Sequence, residues 1–233
     1  MSQLEQIVGR YLHLSVDDIN YRIYFEEAGV GIPLLCLHTA GADSRQFRHM
    51  LSDVDLTSRY RVIAFDMPYH GRSNPPAGWW KKQYKLKAQH FTNIIKAFWE
   101  ALDLDQPIVA GCSMGGAIVL KVASDHGDDV RGIVGLETTA KGHGRDSDFL
   151  HHPAVHGGEL VATRTYGLNA PQSPEESKRE NWWYYAQSGP GVYKGDVHFY
   201  VYDWDAWDSL GQIDTSICKV ALLSGEFDYS ATP

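Results

Sequence analysis

The chain has 233 residues, 43% hydrophobic and 21% charged, which is enough to bury the core of one domain and too few for a second catalytic domain. Lys and Arg total 21 against 29 Asp and Glu, a net charge of -8 with no basic run, so neither nucleic acid nor an anionic membrane is expected as a partner. The first ten residues lack the apolar stretch of a signal peptide and no later run approaches the length of a membrane span, so a cytoplasmic protein is expected.

Ile19, Tyr21, Ile23 and Phe25 alternate with polar or exposed positions, the period of a strand with one buried face, and Val16-Asp17-Asp18 before them reads as a hairpin turn. Pro33 to Leu37 is a continuous apolar run, as for a central strand covered on both faces, and it leads into His38-Thr39-Ala40-Gly41. Asp43 or Ser44 is expected to cap a following helix that carries Phe47, Met50 and Leu51. Arg61 to Phe65 is a further buried strand, and the loop Asp66 to Ser73 after it is marked by Pro68 and Gly71. Gly78-Trp79-Trp80 reads as an exposed aromatic patch or a pocket wall. From Leu86 to Leu104 the residues Phe91, Ile94, Ile95, Phe98 and Leu102 share one helical face.

Ile108, Val109 and Ala110 then form a short buried strand that runs into Gly111-Cys112-Ser113-Met114-Gly115 and a helix from Ala117. The glycines let strand and helix pack closely enough to lift Ser113 clear of both, which makes Ser113 a candidate nucleophile. The Met114 N–H at the start of the helix has no helical acceptor and can donate to a developing oxyanion. Cys112 could in principle serve as nucleophile, but its side chain is expected to point away from that of Ser113. With Cys36 and Cys218 it is expected to be a buried, reduced packing residue, since the three cysteines have neither C-x-x-C spacing nor an even count.

Val130 to Leu136 and Cys218 to Leu223 are two more strands, and strands alternating with helices predict a mainly parallel, doubly wound α/β sheet. Between about 138 and 215 the rhythm changes and aromatic residues crowd together, among them Trp182, Trp183, Tyr184 and Tyr185. This segment is read as a mostly helical cap inserted into the core. It divides the chain into a first core part at 1-137, the cap at 138-215 and a second core part at 216-233. Trp182, Trp183 and Thr39 are taken as candidate substrate-binding residues.

Leu37-His-Thr-Ala-Gly41, Asp66 to Ser73, the Ser113 elbow and Gly225-Glu-Phe-Asp228 stand in an order that resembles the α/β-hydrolase fold superfamily, in its esterase, enol-lactonase and peroxidase-like branch. The resemblance covers essentially the whole chain. It implies that Asp228 is the triad acid, with Glu137 at the end of the preceding strand as competitor, and that Ala40 N–H is the second oxyanion donor. Thr39 and Tyr69 stand where the family usually has glycine, which leaves the choice between Thr39 and Ala40 open. The family places its histidine base beyond one more strand after the acid, and no such segment follows Asp228 here, so the chain is expected to be a fragment of a longer natural one. His70, His90 and His126 read as solvated or structural, and His38 as orienting backbone. His151, His152, His156 and His198 fall in the cap, from which one would have to reach Ser113 from above.

The expected activity is that of a serine hydrolase of carboxylic esters or lactones, acting on a small to medium apolar or aromatic substrate. The alternatives are a C–C bond hydrolase or perhydrolase on the same machinery, and a non-catalytic ligand-binding protein. No cofactor is required, and no metal site is expected because the histidines show no H-E-x-x-H or similar spacing. Either a homo-oligomer or a further C-terminal segment is expected to cover the open edge of the sheet.

Overall fold

The computed structural model describes residues 4–143 and 157–228. Its centre is a seven-stranded sheet: β1 Val8–Val16, β2 Ile19–Ala28, β3 Ile32–Leu37, β4 Tyr60–Phe65, β5 Ile108–Cys112, β6 Gly132–Leu136 and β7 Lys219–Leu223. The strand order is β1-β2-β4-β3-β5-β6-β7. The β1–β2 and β2–β4 pairs are antiparallel and all others parallel, which is the mainly parallel α/β sheet that the sequence predicts. The β1–β2 hairpin closes on Asp17 and Asp18, both left-handed at φ 50° and 61°, the conformation that lets a two-residue turn follow the strand twist.

Side-chain alternation in the parallel strands divides the core into two layers. Leu35, Leu37, Ile63, Phe65 and Val109 face the long helices α3 (Ala88–Ala101) and α4 (Met114–His126), while Leu34, Cys36, Val62 and Ala64 face Phe47 and Leu51. Phe47 closes a single 3-10 turn that Asp43, rather than Ser44, caps by accepting the Arg45 N–H, and Leu51 lies on the short helix α1 (Arg48–Ser52) that follows, itself followed by α2 (Val54–Thr57). The helical face expected from Phe91, Ile94, Ile95 and Phe98 is buried to 1% exposure or less. Phe98 stacks on Phe65 with ring centroids 4.4 Å apart, locking α3 to the middle of the sheet.

Between β6 and β7 the described residues form α5 (Gly158–Leu168), α6 (Glu175–Tyr185) and α7 (Val192–His198), followed by one π-helical turn at Phe199–Asp203. Residues of these three helices line one cavity together with the residues at the carboxyl ends of β3, β5 and β6. At the other side of β6, β7 is the last strand in the sheet order, and its Leu222 and Leu223 are 56% and 60% exposed.

Candidate active site

The turn from β5 to α4 is as tight as its glycines allow. A Cβ on Gly111 would overlap the Gly115 carbonyl, and one on Gly115 would overlap the Leu37 carbonyl at the end of β3. Between them Ser113 takes φ 52° and ψ -106°, a left-handed conformation that costs a non-glycine residue on the order of 1 kcal/mol. Its backbone is fixed on both sides: Ser113 N–H donates to Leu136 O of β6 at 2.8 Å, and Ser113 O accepts from Ala117 N at 2.8 Å. The Ser113 hydroxyl is not spent on capping its own helix. It faces a cavity of about 640 Å³ at the strand ends.

The loop after β3 lies across that cavity. Thr39 N–H donates to Gln46 Oε1 at 2.9 Å, and Gly41 N–H, at φ 71°, donates to Asp196 Oδ2 at 2.7 Å. No acceptor among the described residues takes the Ala40 N–H between them, nor the Met114 N–H at the start of α4. Of the two amides left open by the sequence, that of Thr39 is engaged by Gln46 and that of Ala40 is not engaged among the described residues. Thr39 itself lines the cavity, and its hydroxyl oxygen accepts from Tyr185 at 3.3 Å. In the second loop Tyr69 adopts φ 76°, the conformation that glycine takes without cost, and its ring is held by stacking on Tyr84 at 4.2 Å.

Asp228 and Glu137 both line the cavity, from the turn after β7 and the end of β6. Glu137, at φ 50°, donates its N–H to Leu223 O at 2.8 Å and accepts the Gly225 N–H on Oε1 at 2.7 Å, which ties the two strand ends together. Burial and then hydrogen bonding to the Asp228 carboxyl push the Glu137 carboxyl up to about 7, against the Gly225 N–H that lowers it. The two candidate acids are therefore neighbours, sharing one site.

Two expectations are corrected by the helical phase of α6 and by the elbow. Asn181, Tyr184 and Tyr185 turn into the cavity, whereas Trp182 and Trp183 are 40% and 47% exposed and line none of it; Trp183 lies over the guanidinium of Arg45 at 5.2 Å. Asn181, Tyr184 and Tyr185 stand at i, i+3 and i+4 and form one face of α6, with Trp182 at its margin and Trp183 beyond it. Cys112 is half-buried and lines the same cavity as Ser113, where burial pushes its thiol up to about 11 and so favours the protonated form at neutral pH. Cys36 and Cys218 are buried and free.

The histidines separate clearly. His90 bonds Tyr21 and Asp17, His198 lies 3.1 Å from Leu86 O, and His126 packs edge-on to Trp99. His38 and His70 are buried behind the Ala40 loop. His151, His152 and His156 lie outside the described residues. His143, which no sequence pattern singles out, lines the cavity together with Ser113, Gln46 and Arg164. Such residues come from loops and from helices without a motif of their own, and only the fold brings them to the serine. Among the described residues no cluster of ligating side chains could hold a metal ion, and no helix is long and apolar enough to cross a membrane.

A family profile described as alpha/beta hydrolase fold matches residues 32–213. A Mycobacterium phage D29 protein bearing the name non-heme haloperoxidase is 30% identical over 136 residues, 58% of this chain and 46% of the relative. Haloalkane dehalogenase 2 of Mycobacterium tuberculosis is 30% identical over 118 residues, 51% of this chain and 39% of the relative. The match thus spans less than half the length of either curated relative. Among solved structures, a thermophilic esterase from Thermogutta terrifontis superposes with a TM-score of 0.82 at 17% identity, over 96% of this chain and 83% of the esterase.

Proposed function

The chain belongs to the α/β hydrolase fold family, and from that premise we propose that it hydrolyses carboxylic esters or lactones through an acyl-enzyme on Ser113. The observation that carries this reading is the pairing of a strained, uncapped serine with two amides, Ala40 and Met114, that have no protein acceptor among the described residues. Ser113 Oγ attacks the carbonyl, the two N–H groups receive the oxyanion, and water then releases the acyl group. Asp228 orients the base, with Glu137 beside it. His143 is the one histidine among the described residues that lines the cavity, and a base on a segment paired to the exposed β7 edge is the other source this reading admits.

A serine cannot form the alkyl ester that an elbow carboxylate forms in dehalogenation, so the dehalogenase name of one relative is not carried over. The cavity wall is less apolar than the sequence suggests: Gln46, Asn169, Asn181 and the tyrosines join Arg164, whose guanidinium has no partner among the described residues. This supports an ester or lactone that carries a polar or anionic group at the α5 side. The deciding experiment is hydrolysis of p-nitrophenyl acetate and butyrate together with labelling by a fluorophosphonate. Ser113→Ala is expected to remove labelling and to lower turnover by roughly 10⁶-fold. Turnover that survives Ser113→Ala overturns the reading, and ligand binding without turnover by the unaltered protein points to the non-catalytic one. Peracid formation from acetate and hydrogen peroxide would identify the perhydrolase variant of the same chemistry.

A further inference from the structure

We infer that Asp196, on α7, is a positioning residue for the oxyanion donor Ala40, so that the segment between β6 and β7 sets the geometry of the oxyanion hole from behind. The inference rests on Ser113 being the nucleophile and Ala40 N–H its oxyanion donor. Asp196 is fully buried, and both its oxygens are in use. Oδ2 accepts the Gly41 N–H at 2.7 Å and lies 2.8 Å from His70 Nε2, while Oδ1 accepts the Tyr84 hydroxyl at 2.9 Å. Three separate pieces of chain, the Ala40 loop, the Asp66 to Ser73 loop and Tyr84, thus meet on one carboxylate of a fourth.

His70 carries the effect further. Its Nδ1 is 3.0 Å from Pro68 O and its Nε2 faces Asp196, and a ring with an acceptor at each nitrogen is protonated at both. Burial pulls its pKa down, but the Asp196 charge and hydrogen bond, with the Pro68 carbonyl, outweigh burial and raise it overall. The His38 ring lies 4.7 Å away. It is fixed in one neutral tautomer: Nε2 accepts the Met67 N–H at 3.1 Å, so Nδ1 carries the proton and donates to Thr39 O at 2.8 Å. Burial and then the neighbouring His70 charge hold its pKa down to about 4, which keeps that tautomer neutral.

The Thr39 carbonyl and the Ala40 N–H belong to one trans peptide plane and point in opposite directions. Holding Thr39 O on the His38 side therefore aims Ala40 N–H away from it. Asp196 fixes the next peptide plane through Gly41 N–H, and Gln46 fixes the preceding amide. Of three successive N–H groups two are tied down inside the protein, and the middle one is left for substrate. A carboxylate at 196 is needed because it must accept two N–H donors on one oxygen while neutralising His70; an amide does neither as well.

Asp196→Asn is the test. It is expected to lower kcat about 10- to 100-fold while KM moves by less than about threefold, because the oxyanion exists only along the reaction path. The rate of Ser113 labelling by a fluorophosphonate should fall by a similar factor, and affinity for a trifluoromethyl ketone should fall while affinity for the product carboxylate does not. Tyr84→Phe, which removes the one bond that does not lead to the loop, is expected to leave kcat within about twofold. Asp196→Asn labelled at the unaltered rate overturns the inference while leaving the hydrolase reading intact; an unaltered protein that never labels at Ser113 overturns the hydrolase reading. If Asp196→Asn does not fold, ¹⁵N spectra of the histidines in the unaltered protein decide: His70 protonated at both nitrogens and His38 at Nδ1 alone is expected at pH 7, and a neutral His70 overturns the inference.

Discussion

Asp196 and Glu137 are both carboxylates that accept a backbone N–H at 2.7 Å beside the loops that hold Ser113, yet their other neighbours carry opposite charge. Asp196 faces the imidazole of His70 and the hydroxyl of Tyr84 in a fully buried site. Glu137 faces another carboxyl, Asp228, at the half-exposed ends of β6 and β7. In the first cluster opposite charge compensates burial, so the carboxylate is a rigid anchor. In the second, like charge and burial act together to favour a proton, so the pair is a site that titrates. The molecule thus sets a charge-compensated carboxylate at Asp196 against a charge-crowded pair at Glu137 and Asp228.

The comparison breaks first at Asp228. If Asp228 orients the base, Asp228→Asn lowers turnover by about 10⁴-fold, because an amide no longer selects the productive imidazole tautomer. Glu137→Gln should change turnover far less. Steady-state rates on p-nitrophenyl butyrate decide between the two, and the reverse ranking assigns the acid to Glu137.

At the anchoring cluster the large effect is on stability. Asp196→Ala leaves His70 without its counter-charge and Gly41 N–H without an acceptor, both in a dry site, which costs about 3–5 kcal/mol in urea unfolding. Adding His70→Ala should cost less than the sum of the two single changes, since it removes the charge that the first change strands. Arg164 lines the cavity from α5. Arg164→Gln is expected to reduce kcat/KM by roughly 10- to 100-fold for half-esters of dicarboxylic acids, the value of about one to two charge-assisted hydrogen bonds, and to leave neutral esters within about twofold. Equal losses on both substrate types would remove the anionic-group reading.

The difference between the clusters also explains how much the sequence reveals. The elbow, the Asp66 to Ser73 loop and the Gly225 to Asp228 turn are local features: glycines, prolines and strand alternation within a few residues, and the strands and α3 follow from the same short-range periodicity. Asp196 has no such signature. It sits in a short helix between an aromatic run and a glycine, and its partners Gly41, His70 and Tyr84 lie 155, 126 and 112 residues away in sequence. The misreading of Trp182 and Trp183 has a related cause. An aromatic run on a helix must divide between faces, and composition alone does not say which face meets the cavity. Ala40 against Thr39 is equally open in the sequence, because a backbone donor has no side-chain mark and nothing in the sequence shows that Gln46 occupies the Thr39 amide.

The titrating cluster gives the smallest effect and the sharpest sign. The Glu137 pKa is raised to about 7 from an ordinary value of 4.5, so across that window the folded protein holds a proton that the unfolded chain has released. Stability must then fall as pH rises from about 4.5 to 7 and level off above it, the reverse of a carboxylate paired with a cation. Solvent screening of the partly exposed pair reduces the effect to on the order of 1 kcal/mol. Glu137→Gln removes the titrating proton while keeping the Gly225 acceptor, so the stability of the variant relative to the parent should rise with pH over the same interval in urea titrations at pH 4.5, 6 and 7.5. A stability difference between the two proteins that does not change with pH would mean that Glu137 and Asp228 do not share a proton, and the contrast with Asp196 would reduce to one of burial alone.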